Sequence, residues 1–84
     1  MKILRLTNHA GEQCEERGAN EEEVKEAVLK GSRENAKKGR FLCKLNFQYN
    51  DLWNGTYYKI KQVAAIIAEE ENEIVVITVY TFYF

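Results

Sequence analysis

The 84-residue chain is 45% hydrophobic and 30% charged with a net charge of -1, which describes one small domain with a modest core and excludes two-domain, Rossmann and barrel enzymes. A domain of this size hides only about 60% of its unfolded surface, so a deep cofactor pocket built from its own walls is not expected. The early charge in Met1-Lys2-Ile3-Leu4-Arg5-Leu6 and the lack of a long apolar run predict a cytoplasmic protein without membrane contact.

Lys2 to Leu6 reads as a short edge strand. Thr7 or Asn8 can cap a first helix, His9 to Arg17, packed through Ala10 and Cys14 and closed by Gly18. Asn20 with Glu23 three residues on resembles a capping box, and Glu21, Glu22 and Glu23 suit the positive end of a helix dipole. The second helix is therefore Glu21 to Lys30, with Val24, Ala27 and Val28 inward and Gly31 as its stop. Ser32 to Gly39 is a polar connection.

The period then changes from helical to alternating, with Phe41, Cys43, Leu45, Phe47 and Tyr49 on one face of a strand. Asn54-Gly55 supplies a tight hairpin turn. A second strand starts near Thr56 and becomes continuously apolar through Val63-Ala64-Ala65-Ile66-Ile67, with a bulge expected near Gln62. Glu69-Glu70-Glu71-Asn72 forms a turn, and Ile74 to Phe84 is a third strand, expected to be central. The fold class is α+β, with two N-terminal helices packed on a three- to four-stranded antiparallel β-sheet, in one domain over residues 1–84.

The near-zero total charge conceals a segregation. Residues 1–34 hold six basic and eight acidic side chains; residues 35–68 hold Lys37, Lys38, Arg40, Lys44, Lys59 and Lys61 against Asp51 alone; residues 69–84 hold four glutamates. The middle segment is therefore +5. Arg40 and Lys44 fall on the strand face opposite the Phe41-to-Tyr49 stripe, Lys59 and Lys61 share a face of the next strand, and Tyr57 stands beside them for stacking on a base. Arg40, Lys44 and Tyr57 are thus candidate RNA-binding residues. The competing reading is a solvated face that uses lysine for solubility and edge protection.

His9 is the only histidine, and the start of a helix favours its neutral, base-competent form. Gln13, Glu16 and Arg17 follow at helical spacing on roughly the same side. Metal chemistry lacks a ligand cluster, Cys14 and Cys43 read as reduced core thiols, and no phosphate loop or serine elbow is present, so no cofactor is expected. A histidine, an arginine, paired lysines and tyrosines match metal-free RNA cleavage, which needs a base for the 2′-hydroxyl, cations for the phosphorane and an acid for the leaving oxygen.

His9-Ala10 with Arg17-Gly18, then Glu22-Glu23-Val24, Tyr58-Lys59-Ile60-Lys61-Gln62-Val63 and Ile74-Val75-Val76-Ile77-Thr78-Val79-Tyr80, resemble the family known as domain of unknown function 4258. Gln13 stands in the region where that family usually has an arginine. The resemblance implies a fold similar to the RelE-type and barnase/EndoU/colicin-like ribonucleases. It implies a metal-independent endoribonuclease, as the toxin of a toxin–antitoxin pair, with His9, Arg17, Lys59, Lys61, Thr78 and Tyr80 as the catalytic set. The alternative is a non-catalytic RNA- or protein-binding module, whose aromatic end Thr81-Phe82-Tyr83-Phe84 pairs with an antitoxin segment or a second copy.

Overall fold

The computed structural model describes residues 2–84. Strand β1 (Ile3–Leu6) leads into helices α1 (Asn8–Arg17) and α2 (Glu21–Lys30). A short strand β2 (Ser32–Asn35) and a 3-10 turn (Lys37–Gly39) precede the long strands β3 (Phe41–Trp53), β4 (Thr56–Glu69) and β5 (Glu73–Tyr83). The sheet order is β1-β5-β4-β3-β2, antiparallel except that β1 runs parallel to β5. The class is α+β as expected, but the sheet is five-stranded and mixed.

Local signals set the helix ends. Thr7 caps α1 by accepting from the Ala10 N–H at 3.1 Å, and Gly18 closes it with φ 75°. The capping box of α2 is complete, since Asn20 Oδ1 accepts from Glu23 N–H and Glu23 Oε1 accepts from Asn20 N–H. The β3–β4 turn places Asn54 at φ 50° and Gly55 at φ 85°, the pair of positive angles that a two-residue hairpin turn requires.

Three expectations need correction. Ser32-Arg33-Glu34-Asn35 pairs with Leu42–Lys44 and Phe41 as an edge strand; it carries no apolar alternation because its side chains are all exposed. The register irregularities fall between Gln48 and Asp51 in β3 and opposite Ile66/Ile67, not at Gln62, which pairs regularly with Asn46 and Phe82. The middle strand is β4, while β5 has a partner on its outer side only along Ile74–Val76 and Glu73, where β1 lies.

Both helices pack on one face of the sheet. Ala10, Cys14, Val24, Ala27 and Val28 meet Cys43, Val63, Ala65, Ile67, Val76 and Val79 in one buried cluster. The small side chains Ala10, Ala27 and Ala65 let helix and sheet backbones approach. Among the described residues no helix lies over the opposite face of the sheet.

Candidate functional site

The register defines the rows of the uncovered face. Leu42, Ile66 and Thr78 form one row, Lys44, Ala64 and Tyr80 the next, and Asn46, Gln62 and Phe82 the third. Ala64 is fully buried although no helix covers it, because the larger side chains on either side close over its methyl group. The result is a shallow depression of about 420 Å3 floored by Ala64 and walled by Leu42, Lys44, Ile66, Tyr80 and Phe82. Tyr80 and Phe82 are 42% and 50% exposed, and their rings lie near-parallel with centroids 6.4 Å apart. Gln62 Nε2 donates to Asn46 Oδ1 at 2.9 Å.

Arg17 reaches this face from the helical side. Beyond β1, the outer edge of β5 is covered by α1 side chains: Gln13 Oε1 accepts from the Val79 N–H at 2.8 Å, and Arg17 Nη1 donates to the Val79 carbonyl. These two side chains do for Val79 what a neighbouring strand would do. The Arg17 guanidinium then lies over the Tyr80 ring, 5.3 Å from its centroid. Gln13 is buried and serves the edge; the sequence showed it only as a polar residue in a helix stripe.

The other face holds a different cluster. Lys61 is 6% exposed, with its Nζ 2.8 Å from Glu23 Oε2, 2.8 Å from the Gly18 carbonyl and 5.4 Å from the Tyr49 ring centroid. Its ammonium thus satisfies the C-terminal end of α1 and the capping glutamate of α2 together. Tyr83 donates from its hydroxyl to the Arg17 carbonyl, as does Thr81 Oγ1, and Trp53 stacks on Tyr83 with centroids 4.9 Å apart. Burial pushes the Tyr83 phenol above its ordinary range. This cluster is a clasp between the helix turn and the β3–β4 hairpin.

The expected site residues therefore divide. Arg17, Tyr80, Thr78 and Lys44 lie on or reach the uncovered face, while Arg40 stands just before β3, at the end of the 3-10 turn and outside the ladder. Lys61 points the other way, so the expected patch of Lys44 with Lys61 does not form; strands β3 and β4 present Lys44 with Ala64 and Lys61 with Phe47 as cross-strand pairs. Lys59 is exposed toward the hairpin end. Tyr57 is near the hairpin tip, with its hydroxyl donating to Asn50 Oδ1. His9 is exposed in the first turn of α1, eight residues and so about 12 Å along the axis from Arg17. Phe82, Leu42 and Ala64 were missed as site residues; the one available signal was that Leu42 breaks the polar side Lys44, Asn46 and Gln48 of its strand.

Charge follows the layers. The two helices hold seven carboxylates against three basic side chains, and the rest of the chain holds six against nine. The helical layer is thus -4 and the remainder +3. Glu34 is the acidic neighbour of Lys44, at 3.8 Å. Among the described residues no group of three potential metal ligands is assembled, and no helix is long and apolar enough to cross a membrane. Both cysteines are buried and unpaired, and burial raises the Cys14 thiol above its usual value.

No curated protein and no solved structure matches the chain. Residues 6–81 match the family model described as Domain of unknown function (DUF4258), and the chain belongs to that family.

Proposed function

We propose that the uncovered sheet face binds single-stranded RNA. The observation that carries this reading is the exposed pair Tyr80 and Phe82, flanked by the Arg17 guanidinium on one side and by Lys44, across Ala64, on the other. Unpaired bases stack on aromatic rings presented by a sheet, and cations at either side take the phosphates. The acidic helices stand on the far side of the sheet, so the charge that would repel RNA is kept away from the platform. This reading fits a cytoplasmic protein, where Cys14 and Cys43 stay reduced.

The test is fluorescence anisotropy with a labelled single strand of about 12 nucleotides and with the matching duplex. The single strand binds more tightly than the duplex, and Tyr80→Ala with Phe82→Ala removes that preference. Equal affinity for both forms, or an unchanged affinity in the double variant, overturns the reading.

A second reading keeps a RelE-like ribonuclease fold and makes the same face a metal-independent endoribonuclease, with an antitoxin or a second copy on the C-terminal strand. It is favoured by one feature: His9, Gln13 and Arg17 form a stripe of α1, and its last two members lie against β5 beside Tyr80. Here His9 takes the proton of the 2′-hydroxyl as it attacks phosphorus and returns it to the departing 5′-oxygen, leaving a 2′,3′-cyclic phosphate, while Arg17 stabilises the phosphorane and Tyr80 and Thr78 orient the strand. Lys61 takes no part, being held by Glu23 on the other face. RNA incubated in chelator with wild type and with His9→Ala separates the readings, since equal product in both removes His9 from any cleavage.

A further inference from the structure

The two outer strands of the sheet are protected very differently. Strand β2 ends one side with Ser32-Arg33-Glu34-Asn35, all exposed and polar, which is the ordinary defence of a sheet edge. Strand β1 ends the other side with Ile3-Leu4-Arg5-Leu6. The Ile3 N–H donates to the Asn72 carbonyl and the Thr7 N–H to the Val76 carbonyl, so Ile3, Arg5 and Thr7 direct their backbone groups to β5. Leu4 and Leu6 direct theirs outward, where no described residue pairs with them.

This open edge is apolar on both sides. Ile3, on the uncovered face, is 72% exposed. On the helical side a depression of about 510 Å3 is lined by Leu4, Ile74 and Leu29, and Leu29 of α2 is 66% exposed. A second depression continues along β1 to Gly11 of α1. Glu12, Glu15, Glu21 and Glu22 line these two hollows, and none of the four forms an ion pair among the described residues. Of the basic side chains there, Lys2 is paired with Glu69 and Arg5 with Glu73, which leaves Lys25.

We infer that the outer edge of β1 takes an extended segment of another protein, alternating apolar and basic residues, as a sixth strand. The outward groups of Leu4 and Leu6 supply the ladder, the Ile3 side takes the apolar side chains, and on the helical side the four carboxylates take lysine or arginine, whose methylene stems lie against Leu4 and Leu29. A second copy of this chain fits poorly. Pairing β1 with β1 would bring two acidic grooves together, and β2 offers no apolar side chain to fill the hollow. RNA is repelled by the same carboxylates.

The probe is a capped, labelled peptide of about seven residues alternating lysine and valine, with a glutamate–valine peptide as its control. The lysine peptide binds, its affinity falls with added salt, and amide exchange slows at Leu4 and Leu6. Ile3→Lys with Leu29→Lys weakens binding by about tenfold or more, as expected from losing two apolar contacts. Glu12→Lys with Glu15→Lys, substitutions on the helix surface, weakens it independently of the apolar pair. The preference for single-stranded over duplex RNA, which rests on Tyr80 and Phe82, stays unchanged in both variants. Equal binding of the glutamate peptide, or unchanged exchange at Leu4 and Leu6, overturns the inference. A concentration-dependent dimer that Ile3→Lys dissolves overturns it too, in favour of a second copy.

Discussion

Lys44 and Lys61 lie on adjacent strands of one sheet, in the same basic stretch of sequence, and meet opposite fates. Lys61 points under the helices, where Glu23, the Gly18 carbonyl and the Tyr49 ring surround its ammonium. Lys44 points to the uncovered face, one-third exposed, with only the longer 3.8 Å approach of Glu34. A buried, fully paired lysine fixes the position of a helix turn, whereas Lys44 stays partly open to solvent. The covered face thus spends its polar groups on holding the fold, whereas the uncovered face leaves Lys44 accessible for the RNA binding proposed above.

The contrast can be broken most directly at Gly18. Its φ of 75° is left-handed, and a Cβ there would meet Trp53 and the Tyr83 hydroxyl at 2.6 Å, so Gly18→Ala loses about 2–4 kcal/mol in urea unfolding from strain and overpacking together. Next in size, Lys61→Met leaves Glu23 without its cation in a largely buried place; about 2–3 kcal/mol of stability is lost, and RNA affinity of the folded variant is unchanged. A loss of RNA affinity with intact stability would instead move Lys61 into the binding site.

The uncovered face answers in the reverse sense. Tyr80→Ala and Phe82→Ala each weaken single-strand binding by about 1–3 kcal/mol, with small effects on unfolding because both rings are exposed. Lys44→Ala reduces the slope of log affinity against log salt by about one and leaves stability within about 0.5 kcal/mol. A stability loss larger than its binding loss would make Lys44 a structural residue like Lys61.

The smallest effect concerns pH. Hydrogen bonds from Lys2 and then Arg33 hold the Glu69 carboxyl below its ordinary range, and the Arg5 hydrogen bond does the same to Glu73. The folded state therefore binds fewer protons than the unfolded chain, so these pairs contribute above the ordinary glutamate range and their contribution fades as pH falls through the lowered values. Unfolding midpoints measured from neutral to acid fall, and Glu69→Gln flattens part of that decline.

Much of the fold was legible. Helix α2 follows its expected bounds, α1 differs by one residue, and Thr7, Asn20, Gly18 and Asn54-Gly55 act as their chemistry requires, because caps and turns are local interactions. Strand β2 was not legible, since an edge strand of polar residues has no period to read. The sheet's bulges were displaced from Gln62 because a bulge answers to the partner strand. Of the site, Lys44 was picked out by charge and strand alternation, Arg17 by its helix stripe and the family resemblance, and Tyr80 by that resemblance, while Phe82 and Ala64 were hidden as apolar residues of a strand.

By itself the sequence determined the α+β class, the order of the elements apart from β2, the core stripe Phe41-to-Phe47 and the acidic character of the helices, all set by spacing within one element. Only the tertiary structure decided that Lys61 is bound by Glu23, that Gln13 and Arg17 replace a missing strand at Val79, and that Tyr80 and Phe82 stay uncovered. Those outcomes depend on which face of each strand the helices cover. That choice is fixed by the register between strands, and no single strand's alternation carries it.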